Sequence, residues 1–221
     1  RDAVERCGAD AHVTALREGD AAHAERLADA LARRAHAVLR LDATTAALVA
    51  DATRQLQVFF DAPPDVKRSI GPFRRVGATY AGYRALASAE FLELHATADT
   101  NATVPSPPEP PGLARAAARL HAALYGVGRL VLRVLASWLG VPELALAGAL
   151  DADGTEGPSR PSSSVLRCCY YRAEGRAVGD VLFERHTDSS LLTLSPLCTS
   201  APGLQVADPS LGGEWVSVEG R

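Results

Sequence analysis

The sequence predicts an α+β fold, in which a helical N-terminal region precedes a β-rich C-terminal region. Two observations lead to this prediction. Apolar residues recur every three or four positions through much of the first part of the chain, which is typical of amphipathic helices. After residue 164, short β-prone runs alternate with glycine, proline, serine and aspartate, a pattern that predicts an antiparallel sandwich or barrel.

The N-terminal region, residues 1–98, is predicted to be mostly helical with a few short strands. Its periodic segments predict helices over 20–39 and 43–63. Asp42 or Thr44 is expected to cap the second helix, because each can accept a hydrogen bond from a backbone N–H of the first turn. Two prolines at its far end stop the helix.

Short strands are predicted at Ala37–Asp42 and in the run AEFLELHA at 89–96. The segment 64–84 between them is rich in turn residues. Residues 99–112 contain five prolines, so they cannot form a helix and are predicted to be a loop or linker.

Residues 113–221 are predicted to begin with a long helix and to continue into the β-rich region. The helix is expected to stop at Gly140, because glycine favours helix ends and a proline follows. A second loop, 151–164, leads to the β-prone runs VLRCCYYRA, VLFERHTD, LLTLSPL, GLQVAD and EWVSVE. The predicted buried stripe of the helix consists of Leu113, Ala117, Leu120, Leu124, Val127, Val131, Val134 and Trp138.

Composition limits the classes of partner. The net charge is −3 and no part of the sequence is a basic stripe, which argues against nucleic acid as a partner. Arg129 and Arg133 interrupt the most apolar run, so we expect no membrane span. Four cysteines without a CxxC pair indicate reduced thiols and therefore a cytoplasmic protein. The chain opens on Arg1, and we interpret it as a fragment or a processed product.

The stretch VLFERHTDSSLLTLSP at 181–196 contains two candidate metal ligands, His186 and Asp188. In an extended strand, the side chains of residues i and i+2 point to the same side. The imidazole and the carboxylate would then converge as two arms of a 2-His-1-carboxylate triad, which holds Fe(II) and leaves positions open. The alternative interpretation is a surface histidine beside a turn-capping aspartate, because H-x-D alone also arises by chance.

The residues around this pair resemble the isopenicillin N synthase-like family of Fe(II)/2-oxoglutarate-dependent dioxygenases. The resemblance covers most of 36–221 and is strongest after residue 164. It implies a double-stranded β-helix (jelly-roll) core that is incomplete at the C-terminus. The matching segments, in chain order, are His186-Thr187-Asp188, Leu191-Leu192-Thr193-Leu194, Pro202-Gly203-Leu204-Gln205-Val206 and Glu214-Trp215-Val216.

The resemblance extends upstream to the run VLRCCYYRAE. In the family this strand reads approximately L-R-x-N-Y-Y-P, and the match places Tyr171 where relatives use a tyrosine to hydrogen-bond the co-substrate. Cys169 stands where the family has asparagine, and Arg172 stands where it has proline. The alternative for Tyr171 is an ordinary strand tyrosine with one buried face.

The resemblance implies an oxidoreductase that uses Fe(II), 2-oxoglutarate as co-substrate and, in one branch of the family, ascorbate. Molecular oxygen and a small-molecule substrate are the expected partners. Relatives supply a second metal histidine, and an Arg-x-Ser pair for 2-oxoglutarate, well after the aspartate. Only 33 residues follow Asp188 and none is histidine, so we expect a truncated chain with exposed sheet edges that is unstable alone.

The remaining candidate residues have plainer interpretations. His95 and His121 are expected to be ordinary, partly buried or surface histidines. Arg167, Arg172 and Arg185 could bind charged groups of substrate or co-substrate, but arginines beside strands are more often paired or solvated.

Three functions are compatible with these patterns. The first, which we favour because the segment with both ligands is intact, is a 2-oxoglutarate-dependent dioxygenase whose chain is truncated. The second is a short, non-catalytic relative that binds a small molecule or a partner. The third is an oxidase of the same family that uses oxygen without 2-oxoglutarate.

Overall fold

The structure, a computed structural model, forms two compact units. The first unit consists of residues 1–46, 127–147 and 194–221, and the second of residues 47–126 and 148–193. The residues that the structure describes are 9–76, 79–96, 103–107, 110–148, 164–172, 175, 177, 180–196 and 203–218.

The first unit begins with a small parallel pairing next to two helices. Strand β1 (Ala11–His12) pairs with β2 (Leu39–Arg40), so the strand predicted at Ala37–Asp42 forms over two residues only. Helices α1 (Val13–Arg17) and α2 (Ala21–Arg34) lie between these strands in the chain. Helix α2 is capped by a side-chain carboxylate at its N-terminus and by a left-handed residue at its C-terminus.

The last described strands of the chain also belong to the first unit. Strands β8 (Gln205–Asp208) and β9 (Glu214–Ser217) form an antiparallel hairpin, which confirms the strands predicted from GLQVAD and EWVSVE. A 3-10 helix (Pro209–Leu211) connects them, and the Asp208 side chain accepts a hydrogen bond from the backbone N–H of Ser210.

Helix α3 (Ala43–Asp61) is followed directly by the short helix α4 (Pro64–Arg68). Asp42 caps α3, because its carboxylate accepts hydrogen bonds from the backbone N–H and the hydroxyl of Thr45, at 2.8 and 3.0 Å. The first of the two predicted caps is therefore the one used. The helix ends two residues before Pro63, as the missing N–H of proline requires.

The main sheet lies in the second unit, and every pairing between its named strands is antiparallel. Its strands are β3 (Arg74–Val76), β4 (Thr79–Ala85), β5 (Ala89–Ala96), β6 (Thr103–Val104) and β7 (Val165–Tyr171). Strand β5 is central because it pairs with β4 and, over seven residues, with β7. The predicted strand AEFLELHA is confirmed, whereas most of β4 falls within the segment 64–84, which was predicted to be rich in turns.

Alternation along β5 gives the sheet two distinct faces. Leu92 and Leu94 are fully buried in an apolar core with side chains from the helices. Phe91 and Glu93 lie on the opposite face, since neighbouring residues in a strand point to opposite sides. The other buried members of the core are Phe59, Phe60, Ile70, Leu113, Ala117 and Cys168.

Gly82 allows the chain to fold back over β4. Its φ angle is +111°, a left-handed conformation that favours glycine, and a Cβ atom there would lie 2.9 Å from the carbonyl oxygen of Pro72. The absence of a side chain lets Pro72 and Phe73 lie against this strand. The Phe73 ring then stacks on Tyr80, with 5.0 Å between the ring centroids.

Helix α5 (Leu113–Trp138) has the predicted position and most of the predicted buried stripe. Trp138 differs, because 49% of it is exposed. By length and composition this helix is able to cross a membrane, although 39% of its apolar window is buried inside the protein. Arg129 and Arg133 therefore do not make the apolar segment too short to span a membrane, contrary to the expectation from the sequence. A last short helix, α6 (Leu144–Ala147), follows.

The segment 181–196 differs from its prediction, because the structure gives it no strand. The runs VLFERHTD and LLTLSPL were both predicted to be strands. A strand needs a neighbour to accept and donate its backbone hydrogen bonds, and no described residue pairs with this segment. His186 and Asp188 therefore lie on an irregular segment.

Candidate metal centre

The side chains of His186 and Asp188 converge although their backbone is not in a strand. His186 Nε2 lies 3.4 Å from Asp188 Oδ1, and both side chains are about half exposed. Two ligands at right angles, each about 2.1 Å from a metal ion, would be about 3 Å apart. The two atoms therefore need to move by only a few tenths of an ångström to bind one ion.

Hydrogen bonds from nearby residues orient both candidate ligands. His186 Nδ1 lies 2.9 Å from the carbonyl oxygen of Glu184, which can only accept, so Nδ1–H donates to it and Nε2 is the nitrogen that a neutral imidazole offers to a metal. The Thr193 hydroxyl donates to Asp188 Oδ2 at 2.6 Å, which leaves Oδ1 to face the imidazole. Second partners of this kind commonly hold metal-binding histidines and carboxylates in place.

An imidazole and a carboxylate are suitable metal ligands, but His186 and Asp188 supply two of the three that a 2-His-1-carboxylate triad needs. No group of three histidine, cysteine, aspartate or glutamate side chains comes together among the residues that the structure describes. His95 is fully buried, with Nε2 2.9 Å from the carbonyl oxygen of Tyr80. His121 Nε2 lies 3.1 Å from the carbonyl oxygen of Ser164. Both histidines therefore have structural roles here, although they are more deeply buried than expected.

Aromatic rings connect the candidate ligands to the sheet. The edge of the His186 ring meets Phe183, with 4.8 Å between centroids. Phe183 in turn contacts Phe91 at 5.8 Å and Tyr171 at 6.0 Å. The segment with the two candidate ligands thus lies next to the face of the sheet opposite the apolar core, and we refer to Phe91, Tyr171 and Phe183 as the aromatic surface.

Tyr171, the residue matched to a co-substrate tyrosine, lies at the edge of the aromatic surface. It is separated from His186 by one ring, that of Phe183. Its hydroxyl hydrogen-bonds the Cys169 side chain, on the same strand face. Partial burial and the neighbouring thiol raise the pKa of Tyr171, so the phenol stays protonated at neutral pH and can act as a donor.

The arginines on β7 and after it are paired, as the plainer interpretation predicted. Arg167 Nε donates to Glu93 at 2.8 Å, and Arg172 donates to Glu90 at 2.6 Å. The second carboxylate oxygen of Glu93, which is buried, has no hydrogen-bond partner in the described part of the chain. Arg185 is exposed next to His186.

A buried charge cluster around Glu90 was not predicted from the sequence. Lys67 lies 2.7 Å from Glu90, and both side chains are almost fully buried. Tyr83 and Arg172 also donate to this carboxylate. Burial opposes ionisation of Glu90, but the hydrogen bonds from Lys67, Tyr83 and Arg172 outweigh it and lower its pKa. The sequence signal for a buried glutamate was the alternation of side-chain direction along β5, which places Glu90 on the same sheet face as the buried Leu92.

The fold resembles that of two solved oxygenase structures. A rice dioxygenase for auxin oxidation matches with a TM-score of 0.68 and 22% identity, over 96% of this chain and 67% of the rice chain. A Caulobacter crescentus protein described as 2OG-Fe(II) oxygenase family matches with a TM-score of 0.67 and 20% identity, over 94% and 69% of the two chains. No protein-family profile and no curated protein matches the chain. The resemblance predicted from the sequence is confirmed at the level of the fold.

Proposed function

We propose that this protein binds Fe(II) through His186 and Asp188 and catalyses the 2-oxoglutarate-dependent oxidation of a small molecule. The proposal rests above all on the convergence of His186 Nε2 and Asp188 Oδ1, 3.4 Å apart. The fold of the two oxygenase neighbours supports the same class of reaction. The small net charge argues against a nucleic-acid partner, and the four cysteines without a CxxC pair favour a cytoplasmic enzyme.

Each residue of the proposed centre has one task. His186 offers its Nε2 lone pair because its other nitrogen donates to Glu184. Asp188 offers Oδ1, while Thr193 holds Oδ2. Tyr171 donates a hydrogen bond to a carboxylate of the co-substrate. Fe(II), when bound, supplies the activation of oxygen, with 2-oxoglutarate as the source of electrons.

The third ligand of such a centre would be a second histidine, and no described histidine joins this pair. About a third of each neighbour has no counterpart in this chain. A 2-His-1-carboxylate triad would then leave the open positions that oxygen and co-substrate need.

The first test is the replacement of each ligand in the protein as its cell makes it. We expect His186→Ala or Asp188→Ala to weaken Fe(II) binding by more than about a hundredfold and to abolish succinate formation from 2-oxoglutarate, because either change leaves an incomplete triad. Fe(II) affinity is measured by anaerobic calorimetry and succinate by mass spectrometry. His12→Ala and Asp61→Ala, which remove the same groups far along the chain, are the matched controls.

Each outcome discriminates between the possible functions. Unchanged Fe(II) affinity in either variant would overturn the ligand assignment. Fe(II) binding without succinate, but with oxygen consumption, would favour the oxidase that works without 2-oxoglutarate. Tight binding of small molecules without any oxygen consumption would favour the non-catalytic relative.

A further inference from the structure

Arg84 lies on β4, on the sheet face that carries the aromatic surface. It is directly opposite Phe91 in the register of β4 and β5, and directly opposed residues of an antiparallel pair share one face. Phe91 contacts Phe183, which contacts His186. Arg84 is therefore linked to the proposed metal centre by a continuous run of ring contacts.

Two rings fix the position of the guanidinium group. Its central carbon lies 4.9 Å from the ring centroid of Phe73 and 5.5 Å from that of Phe91. Such contacts occupy the planar faces of a guanidinium and leave its N–H edge available, which is the part that binds a carboxylate through two parallel hydrogen bonds. Arg84 is also exposed, so a ligand can reach it.

The charge of Arg84 is not neutralised by a neighbour as the charges of nearby arginines are. Arg167 and Arg172 each form an ion pair with a buried glutamate. Arg84 has no carboxylate within 4 Å in the portion of the chain that the structure describes. The face beside the metal ligands thus carries an oriented cation next to apolar rings, of which Tyr171 and Phe183 are 39% and 41% exposed.

We propose that Arg84 binds the carboxylate of a small molecule whose apolar part lies on Tyr171 and Phe183. This inference rests on the proposed function and names the chemical class of its ligand, an apolar or aromatic carboxylic acid. The same carboxylate chemistry could come from the substrate or from 2-oxoglutarate, and the experiment separates these two sources.

The test compares benzoate with benzamide, which have nearly the same shape and differ in charge. We expect the wild-type protein to bind benzoate about tenfold more tightly than benzamide, because a charged hydrogen bond adds to the ring contact. Arg84→Gln should remove this preference. Arg74→Gln should keep it, because Arg74 lies opposite Ala81 and so on the other face of the same hairpin. Dissociation constants are measured by ligand-observed NMR without metal, with 2-oxoglutarate as a third ligand.

The variants distinguish the two sources and can overturn the proposal. Weaker benzoate binding in Arg84→Gln with unchanged 2-oxoglutarate binding assigns the site to the substrate, weaker binding of both ligands assigns it to the co-substrate, and a loss confined to 2-oxoglutarate overturns the proposal. Equal affinities for benzoate and benzamide in the wild-type protein would overturn the proposal, as would an equal loss in Arg74→Gln. Because the titrations need no metal and no turnover, failure here is distinct from failure of the iron assignment.

Discussion

The orientation of His186 and Asp188 depends on residues within a few positions of them in the chain. Glu184 supplies the carbonyl oxygen that holds Nδ1, and Thr193 supplies the hydroxyl that holds Oδ2. Because these partners are local, the two ligands can be oriented without a strand on either side. The irregular backbone at 184–189 is therefore compatible with a preformed pair of ligands.

The hydroxyl of Thr193 is predicted to contribute to metal affinity without contributing to the fold. We expect Thr193→Val to weaken Fe(II) binding by roughly tenfold, because Asp188 loses the hydrogen bond that orients it. Thermal unfolding should change little, since both side chains are exposed.

Ser190→Ala provides the matched control for that prediction. Ser190 hydrogen-bonds the Thr193 hydroxyl at 2.8 Å but has no hydrogen bond to Asp188 in the described part of the chain. Its removal should therefore change the Fe(II) affinity, measured by anaerobic calorimetry, less than Thr193→Val does. Equal affinities for the wild-type protein and Thr193→Val would contradict the role given to this hydroxyl.

At the scale of the elements, one buried carboxylate joins three strands and a helix. Glu90 on β5 binds Lys67 of α4, Tyr83 of β4 and Arg172 just after β7. The Lys67 ammonium also donates to the carbonyl oxygen of Phe60, at 2.9 Å. Each donor therefore has a partner, and the single negative charge of Glu90 lies against two positive charges, the buried Lys67 and the partly exposed Arg172.

Replacing Lys67 alone is predicted to lower the free energy of unfolding more than replacing Lys67 and Glu90 together. We expect Lys67→Met to lower the free energy of unfolding by about 3 kcal/mol, because it removes the buried cation beside Glu90 and leaves the buried carboxylate to the partly exposed Arg172. The measurement is urea-induced unfolding followed by circular dichroism.

The double variant Lys67→Met/Glu90→Gln tests the cause of that loss. A neutral amide no longer needs the ammonium, so the double variant should recover about 1 kcal/mol or more of the free energy of unfolding. If the double variant is less stable than Lys67→Met, the cluster is stabilised by packing around Glu90 rather than by charge balance.

At the scale of the whole molecule, the elements with strong local patterns were the ones that the sequence predicted correctly. Helix α5 has a repeated apolar stripe, and β5 has apolar alternation between clear ends. Both patterns are properties of a single segment, so no knowledge of the partner was needed. The antiparallel hairpin of β8 and β9 belongs to the same group.

The sequence did not predict that the segment 181–196 lacks strand pairing. Strands were predicted within 181–196 as they were in β7, but β7 has β5 as its neighbour over seven residues. Whether a β-prone run becomes a strand depends on such a neighbour, which lies far away in sequence. The sequence predicted that His186 and Asp188 would lie close together in a strand, and they do so without one; the partners that orient them and the position of Arg84 over two rings required the structure.

Amide protection should therefore differ sharply between the sheet and the segment 181–196. In the described structure, no backbone N–H of 181–196 donates to another backbone group. We expect these amides to exchange with solvent at least roughly a hundredfold faster than those of β5, which pair on both sides. Hydrogen–deuterium exchange with mass spectrometry measures the difference, and similar rates would indicate strand pairing of 181–196 in solution.

The adjacent cysteines on β7 act as a chemical reporter of the whole sheet. Cys168 is buried under the helices and Cys169 is exposed on the opposite face, one peptide bond away. A thiol reagent should therefore modify Cys169 in the folded protein and reach Cys168 only when the helices separate from the sheet. The ratio of modification at these two neighbouring positions measures how often the core opens, because the reaction of Cys169 serves as the reference for the slower reaction of Cys168.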